Sequence, residues 1–272
     1  MTSTADREEN LVIAERLVRG AAARGAEFVA LPENFSLMAT EGLVIEPTEP
    51  VEGPTAEWGR GVAASCGVDL LLGSIPETAD RPRMRHNTSV LITRAGEIAA
   101  SYRKIHMFDV RLSGRSLVES SAVAAGTETV TADLEWGRIG MSVCYDLRFA
   151  ELYRTLRRAG AEVLTVPSAF TAETGPAHWS ILLRARAVEN QAFVVAPAQT
   201  GVHAPGRASY GHAMIVGPWG EVLDDAGPNG EGVAVADLDP RSLAQAAERI
   251  PCLEHARDWL VRGERAEGSD ES

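Results

Sequence analysis

Short apolar segments of strand length alternate along the chain with longer amphipathic segments, and this alternation limits the folds that it can adopt. Segments 27–33 and 68–77 are apolar almost throughout, whereas segments 10–25 and 149–160 carry apolar residues at helical spacing. Strands that are apolar on both faces are normally buried on both faces. The sequence therefore predicts an α/β fold in which helices cover the sheets.

The number of predicted strands indicates two sheets rather than one. Hairpin turns at 94–97 and 217–220 add strands to the alternating units, and a last strand is predicted over 231–239. Residues 80–87 and 106–126 are predicted to be loops. Because one open sheet seldom holds more than about ten strands, we expect two packed sheets with helices outside.

Length and charge restrict the class of protein further. We expect one domain over residues 1–260, followed by a charged, disordered tail over 261–272. The formal net charge is −12, which disfavours nucleic acid and anionic membrane surfaces as partners. No run approaches the roughly 20 apolar residues of a membrane-spanning helix.

Cysteine usage predicts a reducing compartment. Cys66, Cys144 and Cys252 are widely spaced and odd in number, which argues against a disulfide framework and against a zinc site. The six histidines show no metal-ligand spacing either. The first ten residues are polar and acidic, unlike a signal peptide. We therefore expect a cytoplasmic protein without a bound metal.

Three reactive side chains follow three predicted strands. Glu33, Lys104 and Cys144 each stand where a strand ends, and Lys104 is the only lysine in the chain. Sites in α/β proteins gather at the carboxyl ends of strands, so a base, a cation and a nucleophile could meet there. The alternative is an ion pair between Glu33 and Lys104 beside a cysteine of the core. Spacing alone leaves both interpretations open.

The residues near Cys144 are candidates for substrate binding. Arg148 could grip a carboxylate through its planar guanidinium, or it could pair with Asp146 or Glu151 on the helix surface. Tyr145 and Phe170 could wall a pocket, or could be ordinary core aromatics. The remaining candidates are Arg154, a weaker one for carboxylate binding, and His178, which we expect to orient a loop over the site.

Three motifs in order carry a resemblance to a known family. They are "LPENF" at 31–35, "YRKIHMFD" at 102–109 and "GMSVCYDLRFAELYR" at 140–154, supported by the stretches 175–201 and 209–223. Over nearly its whole length the chain resembles the carbon–nitrogen hydrolase (nitrilase) superfamily. The resemblance implies a four-layer α-β-β-α sandwich and a homodimer or larger assembly.

The resemblance also assigns roles to residues. It implies a Glu33–Lys104–Cys144 triad, with Glu119 as a fourth, supporting residue. Cys144 would attack an amide carbon after Glu33 takes its proton, and Lys104 and the Tyr145 N–H would receive the oxyanion. No metal or organic cofactor is implied. Members of the family carry a further strand before the "TST" segment. This chain begins at that point, so we expect the strand "FVALPE" to lack one neighbour. A start codon assigned too late would explain the difference.

The implied reaction is hydrolysis of a small acidic amide. Deaminated glutathione is the expected substrate, with 2-oxoglutarate and cysteinylglycine as products. The alternatives are 2-oxoglutaramate, as for an omega-amidase, or the amide or N-carbamoyl substrate of another member. A catalytically inactive binding or scaffold protein on the same fold is the interpretation from a different class, although all four reactive residues are present.

Overall fold

The computed structural model describes residues 1–38, 47–112, 114–204 and 206–257. The tail predicted at 261–272 lies outside the described residues. The α-helices of the described part are α1 (Arg7–Ala23), α2 (Pro54–Cys66), α3 (Ala150–Arg158), α4 (Gly175–Asn190), α5 (Arg241–Arg249) and α6 (Cys252–His255). The strands are β1 (Phe28–Ala30), β2 (Asp69–Thr78), β3 (Arg85–Ile92), β4 (Ile98–Arg103), β5 (Asp109–Leu112), β6 (Arg115–Val118), β7 (Thr131–Leu134), β8 (Gly137–Met141), β9 (Val163–Thr165), β10 (Phe193–Ala196), β11 (Thr200–Ala204), β12 (Arg207–Tyr210), β13 (Met214–Val216) and β14 (Val222–Asp225).

Two main sheets form the middle of the molecule. The first has the order β1-β2-β3-β4 and the second the order β14-β13-β10-β9-β8-β7. Strand β1 runs parallel to β2, and β9 lies parallel to both β8 and β10. The carboxyl ends of these strands therefore reach the same region, which is the arrangement that builds sites in α/β proteins.

The two sheets pack face to face and the helices lie outside them. Leu71, Leu91 and Tyr102 of the first sheet share one buried cluster with Ile139 and Leu164 of the second. Helices α1 and α2 contact the first sheet, whereas α3 and α4 contact the second. The predicted α/β sandwich with two packed sheets is confirmed, and its layers run helix, sheet, sheet, helix. Within the described ranges no helix combines the length and hydrophobicity that crossing a bilayer requires.

Strand β1 lies at an edge of the first sheet, which agrees with the expectation that "FVALPE" lacks a neighbour. Within the described residues it pairs only with β2. Its other side borders a cavity of about 440 Å³, and residues 232–238 line the same cavity. The prediction of a strand over 231–239 is wrong, because residues 233–239 adopt no regular structure. A strand needs a hydrogen-bonded neighbour, and this segment faces the cavity instead.

Two predicted loops contain strands. Residues 106–126 include the hairpin of β5 and β6, and residues 80–87 include the first three residues of β3. The hairpin of β11 and β12 is likewise unexpected. These strands are short and carry few apolar residues, so the period-2 pattern that reveals a half-buried strand is too brief to detect.

Two glycines allow the backbone to approach closely beside the predicted site. A Cβ at Gly73 would lie 1.7 Å from the Leu31 carbonyl oxygen, two residues before Glu33. A Cβ at Gly126 would lie 2.2 Å from the carbonyl oxygen of Arg103, which precedes Lys104. The position of both charged residues therefore depends on a neighbouring residue without a side chain.

Gly73→Ala is expected to lower the free energy of unfolding by about 1–3 kcal/mol and to reduce kcat, because the segment before Glu33 must move away. Urea denaturation and steady-state kinetics measure the two effects. The matched control is Gly61→Ala on the exposed face of α2, where a Cβ meets nothing within 4 Å. The control should be neutral or stabilising by up to about 1 kcal/mol. Equal stability of the two variants would contradict this account of Gly73.

Candidate active site

Cys144 lies in a tight turn at the carboxyl end of a central strand. Strand β8 ends at Met141, and a 3₁₀-helix begins at Cys144 and continues to Arg148. Cys144 has a φ of 48°, in the left-handed region that residues with a side chain seldom adopt. Its backbone N–H donates to the Pro167 carbonyl oxygen at 2.9 Å. The turn therefore fixes the Cys144 side chain, which is 9% exposed, at the end of the sheet.

Lys104 brings two carboxylates together. It directly follows β4, and its Nζ donates to Glu33 Oε1 at 3.1 Å and to Glu119 Oε2 at 2.9 Å. The residue is only 2% exposed. Burial by itself disfavours the ammonium, but the negative charges of Glu119 and Glu33 outweigh burial and raise the pKa of Lys104 above its ordinary value. Lys104 therefore stays a fixed cation.

Glu33 uses both of its carboxylate oxygens. Oε1 accepts hydrogen bonds from Lys104 and from Asn87 Nδ2, the latter at 2.9 Å, and Oε2 accepts from the Ala169 N–H at 2.8 Å. The Cys144 thiol lies close enough to this carboxylate to lower its pKa. Burial favours the neutral acid, yet the Lys104 charge and these hydrogen bonds together bring the pKa of Glu33 below its ordinary value. Glu33 is therefore an ionised acceptor beside the thiol.

The Cys144 sulfur is a thiol rather than a thiolate in this arrangement. Burial raises the pKa of Cys144 well above its ordinary value, and the negative charge of Glu33 raises it further. The positive charge of Lys104 acts in the opposite direction but does not reverse the shift. The thiol proton therefore faces an ionised carboxylate, which is the pairing that base-assisted attack by sulfur requires.

Glu119 is held by backbone as well as by Lys104. It begins a short 3₁₀-helix, Glu119–Ser121, and its Oε2 also accepts from the Phe108 N–H at 2.7 Å. The structure thus brings together all four residues that the sequence analysis groups, Glu33, Lys104, Glu119 and Cys144. The ion pair between Glu33 and Lys104 that the alternative interpretation predicts is present, and the cysteine beside it lines a cavity.

Further residues that the sequence analysis does not identify fix the backbone before and after Glu33. Gln199 Nε2 donates to the Glu33 carbonyl oxygen at 3.1 Å, and Ser74 Oγ accepts from the Asn34 N–H at 2.8 Å. Asn87, which lies in a segment predicted to be a loop, is likewise not identified from the sequence, and it holds the Glu33 carboxylate rather than the backbone. Ser74 is a polar residue inside an otherwise apolar predicted strand, and this pattern is the sequence signal that could have identified it.

Asp146 organises the turn that carries Cys144. Its carboxylate is fully buried and accepts from the Val143 N–H at 2.8 Å, from the Tyr102 hydroxyl at 2.7 Å and from the His106 N–H at 3.1 Å. Nδ1 of His106 lies 2.7 Å from the same carboxylate. Asp146 thereby joins the strand before Lys104 to the turn before Cys144. An acid two residues after the cysteine, where a turn begins, is the sequence signal for this role.

An open cavity of about 370 Å³ leads to the four grouped residues. Tyr145, Arg148 and Phe170 line it, as the sequence analysis expects. The Arg148 guanidinium lies 5.1 Å from the Phe170 ring centroid and contacts His178 Nδ1 at 3.2 Å, so it pairs with neither Asp146 nor Glu151. His178 therefore affects the cavity indirectly, through its contact with the Arg148 side chain.

Arg154 lies elsewhere. It donates to the carbonyl oxygen of Glu189 on α4 and does not line the cavity.

The fold is the α-β-β-α sandwich of the nitrilase superfamily, a class of enzymes that hydrolyse carbon–nitrogen bonds. The family model for carbon-nitrogen hydrolases matches residues 1–248 of the chain, which belongs to that family. It is accordingly an enzyme of the amide-hydrolysing type.

Relatives with names or structures agree with this assignment. The deaminated glutathione amidase of Synechocystis sp. is 43% identical over 259 residues, which are 94% of this chain and 95% of that protein. The C. elegans NitFhit structure matches with a TM-score of 0.86 and 37% identity, over 94% of this chain and 63% of that one. An amidase mutant from Nesterenkonia sp. AN1, in which acrylamide has added to the active-site cysteine, matches with a TM-score of 0.76 and 26% identity, over 92% and 95% of the two chains.

Asp146→Asn is expected to destabilise the protein and to lower kcat, because the amide nitrogen cannot accept the hydrogen bonds that the carboxylate accepts. Each buried group left without its partner costs about 1–3 kcal/mol. Urea denaturation gives the stability and steady-state kinetics the rate. Asp133→Asn is the control, since Asp133 pairs with Arg138 at the surface. If Asp146→Asn behaves like this control, Asp146 does not organise the turn.

Proposed function

We propose that this enzyme hydrolyses a small acidic amide through Cys144, with deaminated glutathione as substrate and 2-oxoglutarate and cysteinylglycine as products. One observation carries the proposal. A buried thiol and an ionised carboxylate that also contacts an ammonium line the same open cavity, and the thiol and the carboxylate shift each other's pKa. The substrate follows the name of the relative from Synechocystis sp., which matches along nearly the whole chain.

The proposed chemistry begins with transfer of the Cys144 proton to Glu33. The sulfur forms a bond to the amide carbon, and the carbonyl electrons move to oxygen. Glu33 then gives the proton to the departing nitrogen, the carbon–nitrogen bond breaks, and a thioester remains on sulfur. Glu33 next takes a proton from water, which attacks the thioester, releases the acid and restores the thiol.

Lys104 would stabilise the oxyanion by charge and not by proton transfer. Its raised pKa keeps the ammonium protonated throughout the cycle. The N–H of Tyr145, which follows Cys144 at the start of the 3₁₀-helix, would supply a second donor. Donors of this kind are each worth about 3–4 kcal/mol in the transition state. Glu119 would keep the ammonium aimed at the carbonyl oxygen, where the negative charge develops.

Arg148 would bind a carboxylate of the substrate. Its guanidinium lies at the cavity between the rings of Tyr145 and Phe170, 5.8 Å and 5.1 Å from their centroids. His178 would hold that guanidinium in place through the contact at Nδ1. The two rings would then form the apolar wall along which the acyl chain lies.

We further propose a homodimer and a cytoplasmic location. The outer face of α4 exposes Ile181 and Val188, two turns apart on the same side of the helix, at 66% and 49%. Apolar residues so exposed on one face fit an interface between copies of the chain. All three cysteines are free thiols, which suits a reducing compartment.

Cys144→Ala is expected to lower kcat by roughly 10⁴-fold or more, because Cys144 is the only cysteine among the described residues that line the cavity. Cys66→Ala is the matched control and should retain activity, since Cys66 lies at the end of α2. Mass spectrometry of rapidly quenched enzyme should show the acyl group of the substrate on Cys144. An acyl group on Cys66, or full activity of Cys144→Ala, would overturn the mechanism.

The rate constant kcat/KM is expected to be nearly flat between pH 5.5 and 8.5. Glu33 must be ionised, and its pKa lies below 4.5, so the acidic limb falls below that pH. Cys144 must keep its proton, and its pKa lies above 9.0, so the alkaline limb falls above that pH. Circular dichroism at each pH separates unfolding from titration. A limb centred between pH 6 and 8 would show that another group acts as the base.

Ile181→Asp is expected to shift the protein from dimer to monomer in sedimentation velocity, because a charge on the buried side of an interface loses its water. Val12→Asp is the control, since Val12 is equally exposed but lies on α1. A monomeric wild-type protein, or an unchanged dimer in Ile181→Asp, would remove the proposed interface.

A further inference from the structure

Arg85 is a partly buried cation at the cavity that the proposed mechanism does not use. It is the first residue of β3 and lines the cavity together with Cys144. Its Nε and Nη1 atoms are buried and have no hydrogen-bond partner among the described residues. Leaving two buried guanidinium nitrogens without a partner is costly, and a ligand in the cavity could accept hydrogen bonds from both.

The backbone of Arg85 is rigidly held, so this side chain does not belong to a loose loop. Its N–H donates to Ala122 and its carbonyl oxygen accepts from Ala124, at 3.1 Å and 2.8 Å. On its other side Arg85 pairs with Thr78 of β2. Because its backbone is anchored between two neighbouring segments, the Arg85 side chain starts from a fixed position, as a binding residue requires.

The nearby carboxylates do not satisfy Arg85. The charges of Glu119 and Glu33 act on it, but both carboxylates already accept hydrogen bonds from Lys104. A second guanidinium, that of Arg207 on β12, also lines the cavity and repels Arg85. Burial lowers the pKa of Arg85, and Arg207 lowers it further. Positive charge therefore exceeds negative charge on this side of the cavity.

Counting the charged residues around the whole cavity also shows an excess of positive charge. Four of the described lining residues are cationic, Arg85, Lys104, Arg148 and Arg207, and two are anionic, Glu33 and Glu119. This excess of positive charge occurs in a chain whose net charge is −12. A cavity of opposite sign to its protein selects an anionic ligand.

We propose that Arg85 and Arg207 form a second carboxylate-binding subsite, which recognises the substrate carboxylate that Arg148 does not hold. This inference rests on the proposed function, because it assumes an acidic amide at Cys144. The planar guanidinium with unpaired Nε and Nη1 offers the geometry that carboxylates accept from arginine. The substrate class is thereby narrowed to amides with a carboxylate at each end. Deaminated glutathione has two such groups, whereas 2-oxoglutaramate has one.

The test compares Arg85→Gln with the wild-type enzyme on three amides. They are deaminated glutathione, its C-terminal glycinamide and 2-oxoglutaramate. We expect KM for deaminated glutathione to rise about 10- to 100-fold, the value of one lost charge-assisted pair. The value of kcat should change less than about threefold. The glycinamide and 2-oxoglutaramate both lack the glycine carboxylate, which is the group that we assign to this subsite, so KM for these two amides should be unchanged by the substitution.

Two controls separate binding from a structural role. Arg81→Gln removes an exposed arginine four residues away and should leave all constants unchanged. The thermal midpoint of Arg85→Gln should equal or exceed that of the wild type, because the substitution removes an unpaired buried charge. A lower thermal midpoint, a uniform rise of KM on all three amides, or an unchanged KM for deaminated glutathione would overturn the subsite.

A binding measurement tests whether Arg85 binds a carboxylate, independently of the proposed reaction. Calorimetric titration of cysteinylglycine, the product that carries the glycine carboxylate, into Cys144→Ala and into Cys144→Ala with Arg85→Gln needs no turnover. We expect at least tenfold weaker binding to the double variant. If the wild type hydrolyses none of the three amides, the proposed function fails while this titration still decides the subsite. Equal binding by the two variants would overturn it.

Discussion

The site depends on one buried ammonium. Lys104 Nζ lies between the carboxylates of Glu33 and Glu119, at 3.1 Å and 2.9 Å, with only 2% of the residue exposed. Buried charges are stable only when they are paired and hydrogen-bonded, and removing one partner leaves the others uncompensated. Because the three groups come from the ends of β1 and β4 and from the segment after β6, their pairing also fixes where these chain segments meet. The ion cluster is therefore both a structural link and the source of the site's chemistry.

The cluster carries one more negative than positive charge, and the surroundings distribute that excess. The Phe108 N–H donates to Glu119 and the Ala169 N–H donates to Glu33. The excess charge keeps the sulfur protonated until a substrate arrives, which limits unwanted reactions of the thiolate. In the proposed mechanism, attack then depends on how a bound carbonyl receives charge, which would be the task of Lys104.

Much of this arrangement can be predicted from the sequence, since strand ends locate Glu33, Lys104 and Cys144 and the family motifs associate them with Glu119. The residues that hold these four in place are harder to predict. Asn87 is the last residue of a segment that is predicted to be a loop. The sequence pattern places Asp146 on a helix surface near Arg148. Both act through contacts with residues distant in sequence, Glu33 for Asn87 and Tyr102 for Asp146. Local pattern describes which element a residue belongs to, whereas such long-range hydrogen bonds depend on how elements pack.

The same distinction applies to charge. A net charge of −12 disfavours nucleic acid as a partner in general, yet it says nothing about the cavity, where cations are in excess. At physiological ionic strength exposed charges are screened beyond about 8 Å, so the acidic exterior contributes little to the potential inside the cavity. Arg85 and Arg148, both partly shielded from solvent, would act on a bound ligand at much shorter range. In the proposed binding mode, recognition of an acidic amide therefore depends on a few guanidinium groups near the sulfur, and the overall acidity of the chain does not oppose it.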